Sequence, residues 1–452
     1  MKRTAAQFSL SRRGTRTLVA LILALGTMGA TWHVHPDPTH PDGQVGAAAD
    51  SAASGDTIVV ESGVYYEHIP ISGKSLSFLA PAGSAATILD GGRPFPGRDG
   101  SILYTIGGGP ADLRMEGFTL RNGAGALSET GLKSGGAICW WNNHLGDCAV
   151  DLRACVFQDN TTDNDGGGDG GALYTSCVPV VTVSSCSFVH NSARQAGGAV
   201  ALSGCGQTYT VSTCTFDVQP SGEASACAIR AYGSGALTID NSSFTTNGEG
   251  WDPSTTFLLR LEVESVLLTN NVFTAHAGSL GTRMLISSMS FEYPFVQLAF
   301  RGNVLWNADC TTPDYGVQVV LVQGHADIRE NTFAYSHMDV AINTGDPLLC
   351  ANNTFYRSGV IISDHVGGVV HCNDAWPDTI MTRDANITVT DNVSADPLFC
   401  GEATGDFHIA RESPCAPDHT PGSCGLIGRL GVACSFSPVQ RVTWGGIRQL
   451  FR

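Results

Sequence analysis

The sequence predicts an all-β fold in which the chain winds into a parallel β-solenoid. Eight segments share one pattern of apolar residues, and their last positions lie 22 to 32 residues apart. Repeats of about this length are typical of solenoids. The stretch from Gly55 to Pro81, which precedes the repeats, has the pattern of three short strands with almost no helix signal. Together these observations favour a single solenoid over several separate domains.

The first 30 residues have the pattern of a cleaved signal peptide. Basic residues at Lys2, Arg3, Arg12, Arg13 and Arg16 precede the apolar run Leu18–Ala30. That run is too short to cross a membrane comfortably, and no stop-transfer pattern follows it. We therefore expect a secreted protein of the bacterial cell envelope or the extracellular space, with no transmembrane helix in the mature chain.

Residues 31–110 are predicted to form an N-terminal cap and the first coils. The alanine-rich segment Ala47–Asp56 could supply a short capping helix. A cap is expected because the open end of a solenoid would otherwise expose its core and its unpaired strand edge.

Residues 111–395 contain the regular coils, roughly ten to twelve in the whole solenoid. Each repeat has the form apolar-x-apolar-x-x-(Cys/Ser/Asn)-x-Phe. Steps of two residues keep side chains on one face of a strand, and the single step of three indicates a tight bend. The eight repeats are Val150–Phe157, Val181–Phe188, Tyr209–Phe216, Leu237–Phe244, Val266–Phe273, Leu298–Leu305, Ala326–Phe333 and Leu348–Phe355.

Stacking the repeats in register converts their shared positions into columns. One column is predicted to hold seven phenylalanines, with Leu305 taking one place. The corner column passes from Cys155, Cys186 and Cys214 through Ser242 to asparagines. Inward asparagines can hydrogen-bond both the corner backbone and the next asparagine, so we assign them a structural role.

Charge limits the partners. The formal net charge is −16, which argues against nucleic acid and anionic membranes. It also disfavours polyanionic sugars unless calcium bridges the charges. Polysaccharides and other cell-envelope components remain the expected partners.

Fifteen cysteines in an exported chain predict some disulfides. We expect Cys155, Cys186 and Cys214 to be buried thiols. The disulfide candidates are Cys139, Cys148, Cys177 and Cys205 in loops, and Cys400, Cys415, Cys424 and Cys434 near the end.

Other motifs resemble a known group of proteins. The segments GGAICW from Gly135, GGALYT from Gly170 and GGAVAL from Gly197 alternate with FQDN and FVHN. This alternation resembles the GGA(I/L/V) and FxxN repeats of polymorphic outer-membrane proteins, and Ala48–Cys434 as a whole resembles the secreted pectin-lyase-like superfamily. The resemblance implies a right-handed parallel β-helix with N- and C-terminal caps. The segment Asn392–Cys415 resembles the closing part of many bacterial β-helix proteins.

The chain after residue 395 is divided into two predicted parts. Residues 396–436 would form a cysteine-rich cap over the open end of the core. Residues 437–452 form a basic amphipathic tail, for which sorting, anchoring and a frayed end all remain open.

The same superfamily contains lyases, hydrolases, esterases, epimerases and non-catalytic adhesins, so fold does not decide activity. Fragments such as GRPFPGR at Gly92 and INTGD at Ile342 only echo the catalytic signatures of its enzymes. We expect a non-catalytic secreted or cell-surface protein that is adhesin-like or carbohydrate-binding. The alternatives are a polysaccharide lyase or glycoside hydrolase with a diverged site, and a structural spacer.

Two groups of residues are candidate sites. The segment Trp140, Trp141, Asn142 and His144 offers aromatic rings and amides suited to sugar binding, with loop packing as the competing role. Asp163, Asp165 and Asp169 lie in a glycine-rich loop with alternating oxygen ligands that would suit calcium, the one candidate cofactor; a solvated turn is the competing role.

Overall fold

The computed structural model describes residues 29–37, 39, 42–92, 100–143, 146–162, 167–218, 226–246, 257–276, 283–287, 297–308, 318–322, 325–341, 347–363, 367–383 and 386–435. The predicted signal peptide lies outside the described residues except for its last two positions. The predicted tail 437–452 and the residues His144, Asp163 and Asp165 also lie outside them.

The described chain is a parallel β-helix, as the sequence predicts. Each coil runs along three strands, and each strand pairs in parallel with the equivalent strand of the neighbouring coils. Three long sheets result, which we call sheets I, II and III in the order in which a coil visits them. No described helix is long and apolar enough to span a membrane.

Sheet I and sheet II are joined where two long strands, Val200–Ser212 and Ala226–Asp240, continue from one into the other. The other strands of sheet I are Ile69–Ile71, Leu103–Thr105, Ile138–Trp141, Leu173–Ser176, Phe257–Glu262, Arg283–Ser287, Gln318–Val322, His337–Ala341, Gly359–Ser363 and Ile380–Thr382. Those of sheet II are Thr31–Val34, Thr57–Val60, Leu76–Leu79, Leu113–Glu116, Ala149–Arg153, Val180–Ser184, Ser265–Thr269, Gln297–Arg301, His325–Arg329, Leu348–Ala351, Gly368–His371 and Ile387–Thr390.

Sheet III contains 12 described strands, which agrees with the expected coil number. They are Gly63–Tyr66, Thr87–Asp90, Thr119–Arg121, Val156–Gln158, Ser187–Val189, Thr215–Val218, Ser243–Thr246, Val272–Ala275, Val304–Asn307, Thr332–Ala334, Thr354–Tyr356 and Asp374–Trp376. A short antiparallel hairpin, Ala126–Leu127 with Lys133–Ser134, interrupts one coil.

The predicted bend between sheets II and III is a single left-handed residue. Ala154, Ser185 and Thr213 have φ of 49°, 53° and 55°, and each precedes the Cys/Ser/Asn position of its repeat. A residue with positive φ turns the chain sharply, so the inward face stays inward on both strands. This is why the apolar pattern shows one step of three.

The predicted columns are confirmed. Phe188 stacks on Phe216 with ring centroids 4.7 Å apart, and Phe216 stacks on Phe244 at 4.6 Å. In the corner column, Nδ2 of Asn303 donates to Oδ1 of Asn331 at 3.1 Å and to the carbonyl of Leu268 at 2.9 Å. The three corner cysteines are buried free thiols, as expected.

The N-terminal end is capped by a helix, α1 (Gln44–Ser51), which begins three residues before the predicted segment. Val45, Ala48 and Ala49 are fully buried in the core. The two amides of Val45 and Gly46 donate to the carboxylate of Glu67, which satisfies donors that a helix start leaves unpaired.

The C-terminal segment corrects the prediction of a cap over the open end. It contains the strands Phe399–Gly401, Asp406–Ala410 and Val432–Cys434 and a 3₁₀ turn, Glu402–Thr404. Its contacts run along the side of the solenoid: Phe399, Phe407 and Ile427 pack with residues that sheet III directs outward, among them Val304, Ala334 and Tyr356. Val389, which pairs with the inward-facing Val370 in the last coil, is 51% exposed. We call residues 396–435 the C-terminal strap.

Disulfides tie the strap to itself and to the last coils. Cys400 bonds Cys434, and Cys424 bonds Cys372. Cys177 is also in a disulfide. The predictions for Cys139, Cys148 and Cys415 are wrong, since all three are buried free thiols.

Candidate functional site

The best-defined polar surface lies on the outer side of sheet I, and stacking of the GGA segments creates it. The aligned segments GGAICWW, GGALYTS, GGAVALS and ACAIRAY end on neighbouring strands. One outward column therefore contains Cys139, Tyr174, Ala201 and Arg230 in register. The next outward column contains Trp141, Ser176, Ser203 and Tyr232.

The backbone geometry of the turn requires both glycines of the GGA segment. Gly170 has φ of +70°, and a Cβ there would lie 2.3 Å from the carbonyl oxygen of Leu173. A Cβ on Gly171 would lie 2.0 Å from the carbonyl oxygen of Gly198 in the next coil. Only glycine allows these turns to stack directly on one another, so the GGA motif shapes the edge of the site without supplying chemistry.

The short hairpin brings a carboxylate to the site. Glu129, between its two strands, accepts a 2.7 Å hydrogen bond from the phenol of Tyr174. Tyr174 is 4% exposed. Burial and then the charge of Glu129 raise the pKa of Tyr174, so the phenol stays protonated and donates.

An ion pair forms the second polar feature. Nη1 of Arg230 lies 3.2 Å from Oδ2 of Asp169, and both side chains are partly exposed. Burial raises the pKa of Asp169, Arg230 opposes this shift, and Glu129 adds to it. The Arg230 guanidinium also lies 5.6 Å from the centroid of the Tyr232 ring, which is a cation–π distance.

Tyr232 is the most exposed aromatic side chain of the group, at 52%. The next coil adds another ion pair, Arg260 with Glu262, whose Nη2 and Oε1 atoms are 2.8 Å apart. Because both arginines are paired with acids, the surface has little excess charge of either sign.

Two buried N–H groups of this surface find no acceptor among the described residues: Nε1 of Trp141 and Nε of Arg230. A buried donor without a partner costs on the order of 1–3 kcal/mol. We call the group of Glu129, Trp141, Asp169, Tyr174, Arg230 and Tyr232 the aromatic–arginine surface.

Of the residues predicted from the sequence, Trp141 and Asp169 belong to this surface. Trp140 is 1% exposed and its indole donates to the carbonyl of Ala111. It is therefore a core residue, and the prediction that it binds a ligand is corrected. Asn142 is 5% exposed and its Nδ2 lies 3.2 Å from Sγ of Cys148, which gives it a structural role as well.

The calcium prediction receives no support from the described member of its loop. Both carboxylate oxygens of Asp169 accept from Arg230, and a guanidinium in this position repels a metal ion. Within the described ranges, no group of three or more His, Cys, Asp or Glu side chains could hold a metal.

The sequence reasoning missed Glu129, Tyr174, Arg230 and Tyr232. An alignment of the four GGA-type segments would have placed Tyr174 and Arg230 in one column. ACAIRAY lacks the glycine pair, which hides it from a motif search.

The chemistry of the surface suits binding. Cys139 lies in the same column, but it is fully buried, and burial raises the pKa of its thiol, with Glu129 adding to the shift. The neutral thiol and the neutral phenol of Tyr174 are poor nucleophiles and bases. What the surface presents is an aromatic ring, hydrogen-bond donors and hydrogen-bond acceptors.

Comparison with known protein families finds no family model that matches the chain, and no curated protein matches its sequence. The aromatic–arginine surface therefore has to be interpreted from its own chemistry.

Proposed function

We propose that this protein is an exported β-helix of the cell envelope or extracellular space that binds carbohydrate through the aromatic–arginine surface and does not cleave it. The observation that carries the proposal is the outward column with Trp141 and Tyr232 beside the Arg230–Asp169 ion pair. Aromatic faces pack on the apolar faces of sugar rings. A guanidinium can donate to a sugar hydroxyl, and a carboxylate can accept from one.

The charge of the surface favours an uncharged polysaccharide. Arg230 and Arg260 are each paired with an acid, and the net charge of the chain is −16. A polyanion would meet repulsion at long range, and the two arginines described at the site are already paired with carboxylates. Hydroxyl groups of a neutral sugar could bond the guanidinium of Arg230 and the carboxylate of Asp169, whose side chains are both partly exposed.

The predicted secretion and the resemblance to the pectin-lyase-like superfamily also support a binding protein. The basic and apolar start of the chain has the signal-peptide pattern, and its GGA and FxxN segments resemble those of polymorphic outer-membrane proteins. Such β-helical surface proteins and the pectin-lyase-like enzymes expose the sides of their coils. The incomplete catalytic motifs place binding ahead of lyase or hydrolase activity.

The test is isothermal titration of the purified protein with neutral and acidic polysaccharides, each with and without calcium, together with assays for released product. We expect saturable binding of at least one neutral polysaccharide, independent of calcium and without product. Tyr232→Ala should weaken it by about 1 kcal/mol or more, roughly fivefold, because it removes the exposed ring.

Val180→Ala is the matched control, because Val180 is an exposed side chain of sheet II, at 46% exposure. It should leave binding unchanged. Product formation would replace the binding proposal by the enzyme alternative. Absence of binding to every polysaccharide would contradict the proposal and leave the structural-spacer alternative.

A further inference from the structure

A second candidate site lies away from the aromatic–arginine surface, between sheet III and the C-terminal strap. A cavity of about 370 Å³ is lined by Tyr356 of sheet III and by strap residues that include Asp396, Leu398, Phe399 and Glu402. Its volume falls within the range of small-molecule sites. The carbohydrate proposal makes no use of it.

The cavity has an aromatic floor. The rings of Tyr356 and Phe399 meet edge to face, with centroids 5.3 Å apart and an interplanar angle of 76°. The guanidinium of Arg357 lies 5.5 Å from the centroid of Tyr356 and 5.6 Å from that of Tyr335. The rings of Tyr335 and Tyr356 thus already interact with one cation, the guanidinium of Arg357.

Acidic groups outnumber basic ones around this floor. Asp396 and Glu402 both line the cavity. Burial raises the pKa of Tyr356, and the nearby carboxylate of Glu402 raises it further. Asp374, behind the wall, is fully buried, and its pKa is raised to about 6 by burial, with a further contribution from Asp396. The described residues that line the cavity thus include two carboxylates, Asp396 and Glu402, and no basic side chain.

The wall of the cavity is held in place by covalent and local bonds. Cys400, a lining residue, is bonded to Cys434. The amide of Leu398 donates to Oδ1 of Asp396 at 3.0 Å, and Leu398 itself has the left-handed φ of 52°. A bulky residue rarely adopts this conformation, so the surrounding contacts fix it. A site that is formed before binding loses less entropy when a ligand arrives.

We propose that this cavity binds a small organic amine. The ammonium group would donate to the carboxylates of Asp396 and Glu402, and its carbon chain would pack on Tyr356 and Phe399. An organic cation fits better than a metal ion because the floor is aromatic and, in the described part of the chain, no three carboxylate, histidine or cysteine side chains converge as a metal would need.

The experiment is titration calorimetry at pH 7 with 1,4-diaminobutane, with uncharged 1,4-butanediol of the same length, and with calcium. The diamine should bind saturably, and the diol and calcium should not. Asp396→Asn and Glu402→Gln should each weaken diamine binding at least tenfold. Glu402→Gln keeps an oxygen that can accept from Tyr356, so it separates charge from folding.

Asp418→Asn is the control, because Asp418 is an exposed carboxylate of the same strap. It should bind the diamine like the wild type. Circular dichroism and thermal unfolding confirm that each variant is folded. The proposal is overturned if the diamine does not saturate, if the diol binds equally well, if calcium binds and the two variants abolish it, or if Asp418→Asn weakens diamine binding as much as they do.

Discussion

At the scale of single residues, the corner asparagines show how a repeated position becomes structure. Asn303 receives bonds from the backbone and side-chain amides of Asn271 and donates its own Nδ2 to Asn331 and to Leu268. Buried amides without such partners would be costly, so the column is possible only when coils lie in register. The asparagine pattern is therefore a sequence signal of stacking.

Asp374 is a residue whose burial predicts a pH dependence. It is fully buried; its Oδ1 accepts from the amide of Ala395 at 3.1 Å and its Oδ2 from the thiol of Cys415 at 3.2 Å. Burial raises its pKa from 3.8 to about 6. Because the folded pKa exceeds the unfolded one, ionisation destabilises the fold. The penalty is absent below about pH 4, grows as pH rises, and is complete above pH 6, where it amounts to about 3 kcal/mol.

Asp374→Asn should therefore be more stable than the wild type at pH 7, by up to about 3 kcal/mol, and equally stable at pH 4. Urea unfolding followed by tryptophan fluorescence measures this difference, since Trp306 and Trp376 pack against the strap cluster. Asp418→Asn serves as the exposed control and should show no such difference. A stability difference that does not change between pH 4 and pH 7 would contradict the assignment.

At the scale of elements, the strap is held to the solenoid by polar contacts as well as by its apolar cluster. Arg429 donates from Nη1 to the carbonyl of Asn271 at 3.1 Å and from Nη2 to that of Asn270 at 3.0 Å. Its backbone amide donates to Oγ1 of Thr332 at 3.1 Å. The side chain of Arg429 thereby joins the strap to the bend of the repeat Val266–Phe273, which lies three coils before the last repeat.

Replacing this arginine tests how the strap is held. Arg429→Met keeps much of the side-chain length and removes both charge-assisted bonds, each worth about 1.5–3 kcal/mol. Hydrogen exchange of the amides of residues 426–430 should become at least tenfold faster, while exchange in sheet III strands of the first coils stays as in the wild type. Arg411→Met, a change at an exposed arginine of the same strap, should leave both unchanged. Equal exchange in Arg429→Met and the wild type would show that the apolar cluster alone holds the strap.

The position of the strap illustrates what the sequence could not supply. The columns inside the solenoid follow from the repeat, because each inward position meets the same position in the next coil. The strap packs on outward side chains of sheet III. At these positions Trp306, Tyr356 and Trp376 stand where earlier repeats have mostly polar residues. That change was visible in the sequence, but an outward aromatic side chain does not identify the segment that covers it. The free thiols of Cys139 and Cys148 were mispredicted because the sequence did not show that both side chains are buried, Cys139 on a strand of sheet I.

At the scale of the whole molecule, the solenoid separates two candidate sites on different faces. The sequence predicted Trp141 and Asp169 for different ligands, and coil stacking brings both to sheet I. Arg230 and Tyr232 were missed because their segment lacks the glycine pair. A site assembled from one or two residues per coil becomes visible only when the register is known.

The register itself is the claim on which the columns, both sites and the strap depend. Ser187 and Thr215 are register partners on adjacent strands of sheet III, and Oγ1 of Thr215 donates to Oγ of Ser187 at 2.9 Å. Neighbouring strands lie about 4.8 Å apart, which is within disulfide range. Asp217, two residues further along the partner strand, lies beyond that range.

The most direct measurement is oxidative cross-linking of two double variants, read by mass spectrometry of the peptides. Ser187→Cys with Thr215→Cys should form a disulfide almost completely under mild oxidation, while Ser187→Cys with Asp217→Cys should not. Cross-linking of the second pair in place of the first would mean that the coils stack in a different register, and the assignment of both sites would fail with it.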